Sequence, residues 1–226
     1  MRAIGVGVVI AALAGMAMAE EVEMVQLKIE NLRPPFGSRT LNIGPARNLE
    51  PPREGKPYPL PLVPKGCDQL LSWGCKVTSS DPLPLMGKLS MLTDGKKEEC
   101  DGVDMWRRTR LVLNPGLQWV QIDLGEQKEI YAVCIWHLIY FKVFRDVIVL
   151  VSDGPDFVDG VVTLFNNDHD NSVGFGKGKD FEYIETGEGR PIAAEGVKGR
   201  YVRCYNGGAY SGEGASYIQV EVFGRK

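Results

Sequence analysis

The chain has 226 residues, a formal net charge of −3 and five cysteines, and 44% of its residues are hydrophobic. The slightly acidic balance and the lack of a basic stripe argue against a nucleic-acid partner and against attraction to anionic lipid. The length is sufficient for about one good-sized domain with its own core.

The first nineteen residues (1–19) are typical of a secretory signal peptide. Arg2 supplies a positive charge, the run from Ile4 to Ala19 is apolar, and Ala17-Met18-Ala19 is a small-x-small cleavage sequence. The alternative, a membrane anchor, needs about 20 apolar residues, and this run is shorter. No later segment of the sequence is long and apolar enough to span a bilayer. We therefore expect a mature chain that is secreted, periplasmic or held at the cell surface.

Residues 20–66 are predicted to form a Pro-rich N-terminal arm or linker. Nine of the fourteen prolines lie between Pro34 and Pro64. Proline fixes φ and lacks the N–H donor, so this segment is expected to be extended, with neither a helix nor a central strand. One short strand is predicted within residues 23–32, before most of the prolines.

Residues 67–226 have the pattern of an all-β domain. In the segment 118–125, Val120, Ile122 and Leu124 alternate with polar or amphipathic residues, which is the pattern of a half-buried strand. Further β-rich apolar segments cover residues 130–137, 146–152, 160–165, 200–205 and 217–223. Short strands separated by Gly, Asn and Asp, without a helical period, predict a β-sandwich or jelly roll.

Five segments in order carry a family resemblance: "GKLSMLTDGKKEECDG", "NPGLQWVQIDLGEQKEIYAVCIWH", "VIVLVSDGPDF", "GRYVRCY" and "YIQVEVFG". This succession resembles the discoidin, or coagulation factor 5/8 type C, family, and is similar to family 32 carbohydrate-binding modules. The resemblance extends from Cys67 to Gly224 and implies a galactose-binding-like jelly-roll β-sandwich. It does not imply a ligand, because one fold hosts many functions.

The sequence favours a non-catalytic protein. It holds only two histidines, His137 and His169, and no Gly-x-Ser-x-Gly nucleophile motif. The glycines from Gly174 to Gly178 match neither a P-loop nor a dinucleotide-binding motif. A hydrolase of unknown type is the less favoured alternative.

A dense polar cluster follows one predicted strand and comprises Asn166, Asn167, Asp168, His169 and Asp170. It lacks the cysteines or paired histidines of a zinc site. Asn and Asp also favour turns through their own backbone hydrogen bonds, so an ordinary loop is one explanation. The other is a ligand-binding loop, because amides, carboxylates and imidazole suit sugar hydroxyls. Other candidate contacts are the aromatic residues Trp136, Tyr140 and Tyr210, together with His137 and Arg145.

These residues predict a module that binds an extracellular glycan or glycoconjugate through loops at one end of the jelly roll. The alternative is an adhesion or assembly module, in which the arm binds a protein partner.

The resemblance also implies a structural Ca²⁺ ion, with Asp94 of the "TDG" turn as a ligand. The last-strand position of the family glutamate is Gln219 here, Glu221 lies two residues on, and Lys96 stands where relatives often have Asn or Asp. The site is therefore either lost or completed by Glu221 or Asp101. Alternatively, Asp94 only caps a turn.

Export permits disulfides, and the absence of a CxxC pair makes a structural zinc site improbable. We expect a Cys75–Cys100 disulfide, because both residues flank the N-terminal segment of the domain. Alternatively, several of the five cysteines are small buried hydrophobic residues.

Overall fold

A computed structural model describes residues 22–31, 44–97, 110–137, 142–210, 212 and 214–226. The predicted signal peptide, Tyr140, Cys100 and Asp101 lie outside these residues. The described part of the chain is almost entirely β, with one 3₁₀ helix at Leu89–Thr93. Its strands are β1 (Met24–Gln26), β2 (Leu62–Pro64), β3 (Gln69–Leu70), β4 (Lys76–Ser79), β5 (Leu111–Val112), β6 (Gln118–His137), β7 (Ile148–Ser152), β8 (Val162–Asn166), β9 (Arg190–Asn206) and β10 (Ser216–Arg225).

Two long strands, β6 and β9, join the two layers of the sandwich. The main sheet is antiparallel, with the strand order β3-β10-β6-β9-β7-β8. The first part of β6 pairs with β4 and the end of β9, and its second part pairs with β10 and the start of β9. The register shifts between Asp123 and Lys128, near Gly125, whose φ of +85° suits glycine. The two strands predicted at 118–125 and 130–137 are therefore one long irregular strand.

The core lies between these layers, and the residues that β6 contributes to it alternate along the strand as predicted. Val120 and Ile122 are fully buried and Leu124 is nearly so, which confirms the face assigned from sequence. All five residues of β7 are buried. Complete burial of each such aliphatic side chain contributes about 1.5–3 kcal/mol.

The described part of the arm packs against the domain. Strand β1 pairs with β2, and Leu27, Tyr58 and Val63 of the arm are buried. Further along the arm, Leu49 bridges to Glu182, which places the residues before it at one end of the sandwich.

Candidate ligand-binding site

A cavity of 440 Å³ lies among loops at one end of the sandwich. The strand pairing explains its position, because Gln118 faces Asn206, and Ile148 faces both Tyr205 and Asn166. The start of β6, the start of β7 and the ends of β8 and β9 therefore meet at the same end. The cavity is lined by Pro45, Arg47, Gly116, Leu117, Arg145, Asp146, Asn167, His169, Asp170, Ser172, Val173, Glu182, Gly207 and Tyr210.

Five residues predicted from the sequence line this one cavity: Arg145, Asn167, His169, Asp170 and Tyr210. They come from three separate loops, after β6, β8 and β9. The side chain of Asn167 is 1% exposed, and its Oδ1 accepts a 2.7 Å hydrogen bond from the Val147 N–H. Nδ2 of Asn167 and Nε2 of His169 are buried without a hydrogen-bond partner in the described part of the chain. Both groups thus keep an unused hydrogen-bonding position next to the cavity.

Two other residues of the same loop hold the loop together. Asp168 is fully buried, and its carboxylate accepts hydrogen bonds from the N–H and hydroxyl of Ser172 and from the N–H of Val173 (2.9–3.3 Å). Asn166 accepts from the Asp168 N–H at 2.8 Å and donates to the Gly176 carbonyl at 3.1 Å. Asn166 and Asp168 therefore act as ordinary loop residues that bond to the backbone of their own loop. Asn167, His169 and Asp170, in contrast, line the cavity.

Trp136 and His137 are wrong as ligand contacts, because both are fully buried. They end β6, which at this point pairs with β10, and Trp136 faces Gln219 in the register. The indole N–H of Trp136 donates to the Gly187 carbonyl at 3.1 Å. Nδ1 of His137 lies 2.5 Å from Oε1 of the buried Glu185. A central strand is covered on both faces, so the indole N–H of Trp136 and Nδ1 of His137 have protein partners, whereas Nε2 of His137 is buried without one among the described residues.

Glu182 was missed by the sequence interpretation, although it joins two walls of the cavity. Its Oε1 accepts a hydrogen bond from the Tyr210 hydroxyl at 2.5 Å. Its Oε2 accepts from the backbone N–H groups of Arg47 and Asn48, at 2.7 and 3.3 Å. Burial raises the pKa of Tyr210 well above its usual value, and the bond to Glu182 adds to this. Nothing in the local sequence pairs Glu182 with an arm 135 residues away.

Asp146 was also missed, and it belongs to a cluster of three carboxylates. Oxygens of Asp146, Asp168 and Asp170 all lie within 4.8 Å of one another. Burial raises the pKa of Asp146, the charges of Asp168 and Asp170 raise it further, and Arg145 opposes them. Asp146 and Asp170 line the cavity together with the arginines Arg47 and Arg145.

The described residues at the expected calcium position do not fit that ion. The carboxylate of Glu221 is paired with Nζ of Lys97 at 2.8 Å, and both side chains are less than a tenth exposed. Lys97 also donates to the Glu30 carbonyl at 2.7 Å and lies 4.2 Å from the centre of the Trp136 ring. The Lys97 ammonium thus already neutralises the Glu221 carboxylate and occupies the space beside it. Ca²⁺ would need six to eight oxygen ligands at this position.

The other residues of that expected set have different roles. Oδ1 of Asp94 accepts a 2.9 Å hydrogen bond from the Lys96 N–H, which is the turn-capping alternative. Gln219 is buried at 1% exposure, and its Oε1 has no partner among the residues described. No contact of the described residues supports calcium binding at Asp94, so a calcium ion there stays an expectation from the family resemblance alone.

No disulfide joins any two of the four described cysteines. Cys67, Cys134 and Cys204 are buried, in agreement with the alternative explanation of the cysteines. Cys75 is half-buried, and its Sγ lies 3.3 Å from the Leu71 carbonyl oxygen. Its expected partner, Cys100, is outside the described residues, so the disulfide stays a prediction.

Within the described ranges, no helix has the length and apolar character required to cross a membrane.

Comparison with known proteins finds similarity at the level of the fold. No protein-family model matches the sequence, and no curated protein matches it. A family 89 glycoside hydrolase from Clostridium perfringens, in complex with its substrate GlcNAc-alpha-1,4-galactose, superposes with a TM-score of 0.51 and 12% identity over 70% of this chain and 15% of that chain.

Two smaller proteins superpose over nearly their whole length. Chitosan-binding module 1 of a Paenibacillus sp. IK-5 chitosanase/glucanase has a TM-score of 0.47 and 18% identity, over 69% of this chain and 99% of that chain. A fucose-binding module of Streptococcus pneumoniae has a TM-score of 0.49 and 17% identity, over 70% and 99%. At such identities the similarity concerns architecture alone. The strand order and the superposition on the glycoside hydrolase together give the fold expected from the sequence, an antiparallel β-sandwich of the jelly-roll kind.

Proposed function

We propose that this chain is a non-catalytic module that binds an extracellular carbohydrate in the loop-built cavity. The observation that carries the proposal is the convergence of five sequence-predicted contact residues on one cavity at one end of the sandwich. The solved structures of similar fold include modules that bind chitosan or fucose, which is compatible with this ligand class.

The lining provides both hydrogen-bond donors and acceptors. Arg47 and Arg145 are donors, whereas Asp146 and Asp170 carry carboxylates. A sugar hydroxyl donates one hydrogen bond and accepts others, so a mixed lining of this kind suits a polyhydroxylated ligand better than an apolar one.

An aromatic side chain completes the cavity. The Tyr210 ring lies 5.8 Å from the Arg145 guanidinium and is held by Glu182. We expect a tyrosine ring at this position to present apolar surface to the C–H side of a sugar ring. Because a small polar ligand buries little apolar area, we expect a dissociation constant on the order of 0.1–1 mM.

A glycan array followed by titration calorimetry tests the proposal. His169→Ala removes a cavity group whose Nε2 has no partner in the described structure, and should weaken binding of the strongest array glycan by about tenfold. Asp159→Asn is the matched control, because Asp159 is exposed in the β7–β8 turn at the opposite end. An array without any bound glycan, or equal affinities for the two variants, would overturn the proposal.

An adhesion module whose arm binds a protein remains the alternative, but the contacts favour the glycan. Leu27 and Val63 of the arm are buried against the chain's own domain, and Arg47 of the arm lines the cavity. The arm therefore contributes to the proposed glycan site.

A further inference from the structure

We propose that Asp146, Asp168 and Asp170 bind a divalent cation, and that this cation holds two neighbouring hydroxyls of the glycan in the cavity. The inference rests on the proposed function and specifies how the glycan is held. Oxygen ligands that are all carboxylates favour a hard cation, and Ca²⁺ is the one to test.

Strand pairing creates the cluster. Asp146 precedes β7, and the other two aspartates follow β8, whose last residue, Asn166, faces Ile148 of β7. This register brings one oxygen of each of the three carboxylates within 4.8 Å of the others, although Asp146 and Asp168 are 22 positions apart in the sequence. Three carboxylates repel one another at this separation, and a divalent cation would turn that repulsion into attraction.

The carboxylates retain free coordination capacity. Asp168 accepts hydrogen bonds from Ser172 and Val173, and Asp170 accepts one from the Ser172 N–H at 3.1 Å. An ionised carboxylate has about four lone-pair positions, so these bonds leave others available for a metal ion. The backbone bonds also fix the direction of the Asp168 carboxylate, which preorganises it as a ligand.

Asn167 provides a second and independent observation. Its side chain is 1% exposed, it lines the same cavity, and its Nδ2 has no hydrogen-bond partner in the described structure. Nδ2 cannot be exchanged with Oδ1 by an amide flip, because Oδ1 accepts the bond from the Val147 N–H. A buried amide donor without a partner is costly, so it points to an acceptor on a bound ligand.

The Asn167 amide and the cation held by the three aspartates can both bind the same sugar hydroxyl. A sugar hydroxyl that coordinates a cation through one lone pair still accepts a hydrogen bond through the other. It also donates its own proton to a nearby carboxylate. The Asn167 amide, the cation and one carboxylate would thereby use every bonding position of one hydroxyl. A neighbouring hydroxyl of the glycan would complete the coordination of Ca²⁺.

Calcium titration of the full chain after dialysis against EDTA tests the cation site, by calorimetry and by thermal unfolding. The variants are Asp146→Asn and Asp170→Asn, which keep the side-chain shape and an acceptor oxygen. Asp94→Asn is the matched control, because Asp94 is the calcium residue expected from the family resemblance and lies outside the cavity.

We expect the wild type and Asp94→Asn to bind Ca²⁺ equally, and the two cavity variants to lose affinity by about tenfold or more. A wild type that does not respond to about 10 mM CaCl₂, well above the dissociation constants of extracellular calcium modules, would overturn the inference. Undiminished binding in Asp170→Asn, or loss in Asp94→Asn, would do the same.

Repeating the glycan array in CaCl₂ and in EDTA separates this inference from the proposed function. Glycans bound only in CaCl₂ support both. Glycans bound equally in EDTA leave the proposed function intact and overturn the role of the cation. An array that is blank in both buffers overturns the proposed function and with it the role of the cation in holding a glycan, while the calcium titration still reports on the metal site itself.

Discussion

The Tyr210 hydroxyl donates a 2.5 Å hydrogen bond to the buried carboxylate of Glu182. The same carboxylate accepts the backbone N–H of Arg47, so one side chain connects the loop after β9 with the N-terminal arm. Gly44 lies close against Tyr210, with no room for a Cβ between them. The arm and the Tyr210 loop are therefore parts of one wall, although they are far apart in sequence.

Glu182→Gln should weaken glycan binding and lower stability together. The carboxylate accepts bonds on both oxygens, whereas an amide has only one acceptor and would turn its NH₂ group towards a donor. We expect a loss of about 1–3 kcal/mol in the free energy of unfolding, measured by urea titration. Tyr210→Phe is the companion variant, because it removes one bond and leaves the arm contacts. Equal losses in the two variants would contradict a connecting role for Glu182.

The fold was more predictable than the site. Alternation at Val120, Ile122 and Leu124 reports burial directly, because a strand exposes its two faces in turn. No comparable local pattern in the sequence shows which residues line a cavity. Glu182 and Arg47 meet only through tertiary contacts, so no local pattern in the sequence marks either of them as a cavity residue.

Trp136 shows the opposite error. Its aromatic ring and its position near a strand end suggested a ligand contact, but β10 pairs with β6 as far as His137 and the ring is buried. The segment from Asn166 to Asp170 is recognisable in the sequence as a dense polar group. Its division into cavity-lining and loop-holding residues depends on side-chain directions, which composition does not give.

Asp168→Asn should destabilise the protein more than Asp170→Asn. Both oxygens of the buried Asp168 carboxylate accept backbone N–H groups, and an amide would leave one of these donors unsatisfied, at a cost of about 1–3 kcal/mol. Asp170 is exposed and keeps its acceptor oxygen as asparagine, so its replacement should hardly change stability. Urea unfolding of both variants makes the comparison. Equal stabilities would show that the Asp168 bonds do not hold the loop.

Cys75 is expected to pair with Cys100 when the chain folds in an oxidising compartment. A loop of about 25 residues would add about 3–4 kcal/mol by restricting the unfolded chain. Burial raises the pKa of the Cys75 thiol, with Asp123 contributing, which slows its reaction with alkylating agents at neutral pH. Peptide mapping should therefore be done after unfolding in excess alkylating agent without reductant. Finding both cysteines alkylated would exclude the pair.

Lys97→Met should be strongly destabilising, because it leaves the Glu221 carboxylate buried without a cation. Breaking a buried pair in this way costs about 3–5 kcal/mol. The double variant Lys97→Met/Glu221→Gln removes the unpaired charge and should recover most of the loss. Urea unfolding of the wild type and the three variants, including Glu221→Gln alone, measures the coupling between the two side chains.

The stability deficit of Lys97→Met should also depend on pH. Burial raises the pKa of Glu221 above its usual value even in the wild type, and Lys97 opposes this shift. When the folded pKa of a carboxyl is raised, the native state binds its proton more tightly than the unfolded state, so stability falls as pH rises through the folded pKa. Removing Lys97 raises that pKa further. The deficit should therefore be larger at about pH 8 than at about pH 5, and the double variant should lose this dependence. A deficit that is the same at both pH values would mean that Lys97 stabilises the fold through its packing on Trp136 and not by neutralising Glu221.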